Sequence, residues 1–547
     1  MDAPPPDPPP SPSQDVILSD LPEELLTLIF THVFASAAGI PLDAVPYPSP
    51  STVDEELPTG VLVTARGWAA AAGAAGSCRA LRAAFLDSVV TLEVHLMSGD
   101  RLSADASPTA VGHGVALALL LGRLPALRVL TLYLDGMVER WARRSMCELL
   151  FGVLGQGFPP LLCLVVWADQ PEFSLVSGML YGQPALRHLV VQSYQPTEDA
   201  DVEEECAVAL YRRLAPRLQS LELGDFDDLL DRGSEENFWP VFLERLPVFP
   251  MAGYVSLGNG PGTGSEAVFA TLARLCPALE ALNVGCIDPG LKTADGAATL
   301  LRHFPALRQL DLSMDARLVP WCGVTSAFVG GLCRGRALHL LCLPSVLDGG
   351  EEQEPTALHK ALTASATPPA QLRLDGLLTA SAVAGLVGDG LPGLLALHLS
   401  AVESLSVAAC LSLSRLVELR TLYLGSFGTA RVVVTMAAAS VLAPPALQRL
   451  SLHRMDLGVA GATGVVTAFS LVTPQTLHDL VLHDCAGEVE GALAAAAGVR
   501  TLRRLVMAEH VEIGSRHAAL VSIAEDCRGS VTLLATRRPD LVFAEEL

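Results

Sequence analysis

The side chains that come closest to a catalytic arrangement are two His-Asp pairs, His478-Asp479 and His483-Asp484, on either side of Leu480-Val481-Leu482. A histidine next to a carboxylate is the pairing that orients an imidazole as a general base. No nucleophile stands at a set spacing from either pair. The chemistry therefore stops at a polar surface, either a solvated face or a patch that recognises a ligand. Gly258-Asn259-Gly260-Pro261-Gly262-Thr263-Gly264-Ser265 is the one glycine-rich loop. It has the strand-then-helix context of a phosphate loop, but it lacks the P-loop lysine, does not fit Gly-x-Gly-x-x-Gly, and reads as a flexible turn. Neither a Gly-x-Ser-x-Gly elbow nor a His-Glu-x-x-His metal motif occurs. The 12 cysteines stand singly, without a Cys-x-x-Cys pair, so no zinc site or disulfide framework is predicted. The sequence assigns no catalytic residue, metal or cofactor, and the expected protein is not an enzyme.

Composition narrows the function further. Of the 547 residues 50% are hydrophobic and 17% charged, enough for a large core and too apolar for wholesale disorder. The net charge of −23 lacks the basic excess of a nucleic-acid binder. Free cysteines in apolar surroundings, such as Cys163 and Cys276, fit a reducing compartment, cytoplasmic or nuclear. Met1 to Pro12 is proline-rich with acids and is not a signal peptide. The uncharged run Leu457 to Leu477 is interrupted by Gly458, Gly461, Gly464 and Pro474, and the repeat spacing passes through it. It is not expected to cross a membrane.

The element that positions every polar residue above is a recurring stretch. Phe304-Pro305-Ala306-Leu307-Arg308-Gln309-Leu310-Asp311-Leu312 reads Pro-x-Leu-x-x-Leu-x-Leu, and clear copies begin at Pro125, Pro184, Pro216, Pro277, Pro392 and Pro445. First leucines at 279, 307 and 338 lie 28 and 31 residues apart, and those at 394, 419, 447, 477 and 502 lie 25, 28, 30 and 25 apart. A fixed period of this size predicts a solenoid of stacked units, none of which can bury its leucines alone. The alternating Leu-x-Leu suits a strand, and a helical stretch such as Ser265 to Leu275 follows it. Pro277 then ends that helix.

These units resemble leucine-rich repeats over roughly residues 89 to 507. The resemblance implies an α/β solenoid with a curved, parallel inner sheet and outer helices, closed by a C-terminal cap from about residue 515. Where the family places Asn or Cys, three residues after the last leucine, this chain has Asp135, Asp315, Phe427 and Met455, and only Cys485 fits. Its turns are therefore expected to be held by packing. In such a repeat the residues around Leu-x-Leu project from the inner face. Early strands would present Val129, Thr131, Tyr133, Cys163, Val165 and Trp167. Middle strands would present Glu222, Asn283 and Asp311, and later ones Arg373, His398, Tyr423, Arg449, His453, His483 and Arg504. That face would change from neutral through negative to positive. Arg373, His398, Tyr423, Arg449, His453 and His483 are the candidate target-binding residues, for a protein target or a small anionic ligand.

Ahead of the repeats, residues 1–15 form a proline-rich tail expected to be disordered. In Leu18 to Phe34, Ser19 or Asp20 can cap a helix and Pro22 suits its first turn. Leu21, Leu25 and Leu28 make one apolar stripe, and Leu26, Ile29, Phe30 and Val33 a second, so the helix must be buried on two sides. Leu21, Pro22, Glu24, Leu25, Leu26, Ile29 and Phe30 resemble the first helix of an F-box. Leu81 stands where that family has tryptophan, and a proline-rich insertion, residues 35–60, replaces a short connection. The resemblance divides the chain into the tail, a helical F-box-like segment at 16–88 and the array at 89–547. It implies that Leu21, Pro22, Leu25, Leu26, Ile29 and Phe30 dock on a Skp-type adaptor. The adaptor would join the protein to a cullin scaffold, with the array presenting an unknown protein substrate for ubiquitination. The alternative is a leucine-rich-repeat scaffold unconnected to ubiquitin. In neither case is nucleic acid or membrane an expected partner.

Overall fold

The computed structural model describes residues 61–63, 89–95, 121–134, 154–156, 159–168, 173–180, 182–193, 200–223, 238–257, 262–285, 287–312, 323–344, 355–363, 368–376, 378–388, 391–426, 432–439, 441–456, 476–483, 485, 499–508 and 542–546. Within them the chain is a mixed α/β structure of parallel sheets and helices.

Several repeats begin at a proline with a tight turn. The amides of Leu127, Leu279, Leu307 and Leu394 donate to the carbonyls of Leu124, Cys276, Phe304 and Leu391, three residues back. The proline is thus the second residue of a four-residue turn, where its fixed φ is already suitable. Pro277 does more than stop a helix: the helix has ended at Leu275, and the proline builds the turn into the next strand.

The strands that follow make two principal sheets. The first holds β1 (Val61–Val63), β2 (Val89–His95), β3 (Val129–Leu134), β4 (Cys163–Ala168) and β5 (His188–Ser193). Twelve strands make the second: β6 (Ser220–Glu222), β7 (Tyr254–Ser256), β8 (Ala281–Asn283), β9 (Gln309–Asp311), β10 (Leu340–Leu343), β11 (Gln371–Leu374), β12 (Ala396–Leu399), β13 (Thr421–Gly425), β15 (Arg449–His453), β17 (Asp479–His483), β18 (Arg504–Ala508) and β19 (Val542–Glu546). Consecutive strands are neighbours and every pair is parallel. The carbonyl of Arg187 accepts from Gln219 and Ser220, which carries the same stacking from β5 to β6. A small outer pair, β14 (Val432–Val433) and β16 (Met455–Asp456), continues the pattern beyond the main strands.

Register puts like on like. Leu310 faces Leu341, then Leu372, Leu397, Leu422, Leu450 and Leu480 in turn, and all are buried. Parallel strands need crossovers, and helices supply them. These are α1 (Phe173–Met179), α2 (Ala200–Leu214), α3 (Phe238–Arg245), α4 (Glu266–Leu275), α5 (Ala294–His303), α6 (Ser326–Gly335), α7 (Pro355–Thr363), α8 (Ala380–Val387), α9 (Val407–Ser414) and α10 (Met436–Ala439). Many are capped by a hydroxyl: Ser265, Thr293, Thr325, Thr379, Ser406 and Thr435 each accept from the amide three residues on. Each such cap satisfies an otherwise orphan donor, worth about 1 kcal/mol.

Several details differ from the sequence reading. Val61–Val63 lies inside the stretch expected to be helical, yet Val-Leu-Val is β-favouring and pairs with β2. The end of the glycine-rich loop is packed: Thr263 and Gly264 are buried, and Gly264 bridges to Ile287. At the position where the family would have Asn or Cys, Ile287, Val402 and Met455 are buried apolar side chains, while the Cys485 thiol donates to the Leu452 carbonyl at 3.3 Å. The strand-like Val531 to Leu534, the run 457–475 and the whole F-box-like helix lie outside the described residues.

Gly296, one turn into α5, is held by close backbone approach. A Cβ there would lie 1.9 Å from the Leu291 carbonyl oxygen, whereas one on Gly290 would meet nothing within 4 Å. Gly296→Ala should cost about 1–3 kcal/mol or more, since backbone must move. Gly290→Ala should be near neutral. Comparing the thermal midpoints of the two variants checks this, and equal midpoints would refute it.

Candidate functional site

Side chains alternate across a strand, so leucines that face the core leave the residues between them on the other face. Across β9 to β15 that second face carries one row in register: Asp311, Cys342, Arg373, His398, Tyr423 and Ser451. The next residues along, Gly425 and His453, pair with each other.

The row is organised around Arg373. Its Nε donates to Asp375 Oδ1 at 2.9 Å, and the Ser400 hydroxyl donates to the same oxygen. Asp375 is 6% exposed, while the arginine side chain is 43% exposed. The guanidinium is therefore anchored at its base and open at its tip. Burial is the largest single influence and lowers its pKa, but Asp375, with Asp311 and Cys342, outweighs burial and raises it. On one side the Cys342 thiol hydrogen-bonds to Asp311. On the other, His398 stacks on Tyr423 with centroids 3.8 Å apart and planes 19° from parallel, and Tyr423 stacks on His453 at 6.2 Å and 24°. Such stacked pairs contribute about 0.5–1.5 kcal/mol beyond their buried area. Gly425 makes room for the tyrosine: a Cβ there would stand 2.9 Å from Tyr423 Cε1 and 3.0 Å from the Ser400 carbonyl oxygen. Burial, then the charges of Arg373 and His453, push the His398 pKa down to about 3. His398 is neutral at pH 7.

The structure thus brings Arg373, His398, Tyr423 and His453 into one contiguous patch. Arg449 stands in the adjacent row with Thr421 and Asp479. His483 is the register partner of His453, but its side chain lies outside the described residues, as do those of Tyr133, Trp167 and Arg504. Leu21, Pro22, Leu25, Leu26, Ile29 and Phe30 also lie outside them. The patch is not the simple positive surface expected from residue types, because Asp375 balances Arg373 and His398 carries no charge. Asp375 and Ser400 escaped the sequence reading. Arg373-Leu374-Asp375 did carry the signal, since residues two apart in a strand share a face.

Toward the first sheet the same face is closed. Cys163, Val165 and Val190 form a small apolar cluster of their own with Val129 packed against it. Glu222, expected to be an exposed negative group, is 2% exposed. It hydrogen-bonds to the Tyr254 and Ser256 side chains, but burial outweighs these bonds and raises its pKa to about 8. Nearby, His188 Nδ1 lies 3.0 Å from Ser220 Oγ. This resembles a nucleophile and its base, but Ser220 is 1% exposed, so no substrate reaches it. Among the described residues no group of three or more His, Cys, Asp or Glu could hold a metal, and no helix is long and apolar enough to cross a membrane.

A comparison of the chain with protein-family models and with curated proteins finds no match.

Glu222 gives a pH dependence with a definite sign. Its folded pKa, about 8, lies above the ordinary value of 4.5. The folded state then holds the proton more tightly than the unfolded one, so the contribution is full below pH 4.5 and is lost as pH rises toward 8. The loss should amount to a few kcal/mol, on the order of 1.4 per pKa unit. Glu222→Gln should flatten the fall in thermal midpoint between about pH 5 and about pH 8.5. An unchanged slope in that variant would show that Glu222 is not the group responsible.

Proposed function

We propose that the chain is a leucine-rich-repeat solenoid that acts as the substrate-recognition subunit of a cullin-type ubiquitin ligase. Its catalytic contribution would be proximity: holding a target protein beside the ubiquitin-charged enzyme. The observation that carries the array half of this reading is the register itself. Strand after strand stacks leucine on leucine beneath and recognition-type side chains above, from Asp311 to Ser451. A broad face of this kind, with arginine and aromatic rings at its centre, suits a protein target. The ubiquitin half rests on the sequence Leu21-Pro22-Glu23-Glu24-Leu25-Leu26 with Ile29 and Phe30, and on the need to bury both stripes of that helix.

A second reading, a repeat scaffold without a link to ubiquitin, is favoured by one observation. Val61 pairs with Val89, 28 residues on, and Leu62 and Val63 with residues 29 on, within the range of spacings of the later units. Residues 61–88 would then be a repeat unit, leaving less chain for an F-box.

Binding to a Skp-type adaptor decides between the two. Burying Leu25 and Ile29 in the adaptor contributes roughly 1.5–3 kcal/mol each. Leu25→Ala combined with Ile29→Ala should weaken binding by about a hundredfold or more. Absence of any micromolar binding by the unaltered chain would select the scaffold reading.

A further inference from the structure

The patch on β11 to β15 has donors to spare. Among the described residues Arg373 hydrogen-bonds only through Nε, to Asp375, so both Nη groups still present their N–H bonds. The Tyr423 hydroxyl likewise makes no hydrogen bond to any described residue, although its ring is fixed between His398 and His453. The two donors stand two strands apart, about 10 Å. What would satisfy them depends on charge. Arg373 stands between Asp311 and Asp375, and the next ring, His398, is uncharged at neutral pH. Counted with His453, whose charge His398 also feels, the two acids leave the patch without net positive charge before any ligand arrives. An incoming carboxylate or phosphate would gain the fork but meet two acids held close to it. A carbonyl oxygen without charge gains the same hydrogen bonds and meets no such repulsion.

We propose that Arg373 and Tyr423 form a binding site for an uncharged, extended peptide segment bearing a side-chain amide, Asn or Gln, rather than for an anion. The proposal rests on the reading of this face as the target-binding surface. The amide oxygen takes the Arg373 fork, and its N–H groups are tolerated by Asp311 and Asp375. A backbone or side-chain carbonyl further along the segment accepts from Tyr423. Asp375 and Ser400 are positioning residues: they hold the guanidinium so that its open edge faces the ligand, and little side-chain entropy remains to be lost on binding.

The test pans the full chain against random peptides of about seven residues, long enough to cross β11 to β15 at about 4.8 Å per strand. Recovered peptides are then measured on Arg373→Ala and Tyr423→Phe. The phenylalanine variant keeps the stacked ring, so a loss there reports the hydroxyl and not collapse of the stack. The expected result is a set enriched in Asn and Gln that loses about tenfold or more on each variant. Its affinity should change by less than about twofold between about 50 and 500 mM salt. An Asp- or Glu-rich set that depends on Arg373 and weakens steeply with salt would overturn the amide assignment while leaving this face as a binding surface. Peptides indifferent to both variants, or no peptide recovered, would overturn the site itself.

Discussion

One backbone carbonyl per unit holds this molecule in register. Glu280 accepts from the amides of Arg308 and Gln309, Arg308 from His339 and Leu340, and Ala370 from Leu395 and Ala396. The same donation recurs from Arg128 to His478, across both sheets. A slip of one residue would turn every leucine of a strand out of the core. The carbonyl therefore fixes more than a hydrogen bond. It decides which side chains are buried and which form the opposite face, and it does so for each unit relative to the one before.

The polar row inherits its geometry from that register. Strands about 4.8 Å apart place equivalent side chains within stacking reach. His398 and Tyr423 meet as flat rings because they occupy the same position in consecutive units. Arg373 is the register partner of the next ring, His398, for the same reason. The two ends of the face then diverge according to what surrounds them. Glu222 and Tyr254 are enclosed, and burial raises the pKa of the carboxyl to about 8. Arg373 keeps an open tip, and its charge is answered from within its own strand ending by Asp375.

Much of the fold was legible because it repeats. Leu-x-Leu with a constant spacing marks the strands, and proline marks the turn ahead of them. Hydroxyl caps such as Thr293 and Thr325 were not read, because they stand at no fixed distance from the preceding leucine. The charge of the site was not legible. A count of residue types sees Arg373 and His398 as two potential cations, but protonation depends on burial and on neighbours two residues or one strand away. Glu222 failed in the same manner, since nothing in a single unit tells which part of the face is covered. Val61–Val63 was missed because the sequence there lacks the leucine signature and the strand shows itself only through its parallel pairing with β2.

These facts bear on how such a face can recognise anything. A binding surface built on loops must be ordered when its partner arrives, and that ordering costs free energy. Here the polar side chains stand on strands whose positions are set by buried leucines beneath them. Arg373 is braced by Asp375 and Ser400, and Tyr423 by two rings and by the absence of a side chain at Gly425. The same contacts that steady the arginine also cancel its charge, so rigidity has come at the expense of long-range attraction. A ligand on this patch would be held by short-range fit and hydrogen-bond direction, both weakly dependent on salt. With a net charge of −23 the overall field opposes acidic partners, and a patch without net positive charge does nothing to offset it, so an uncharged ligand suits it better.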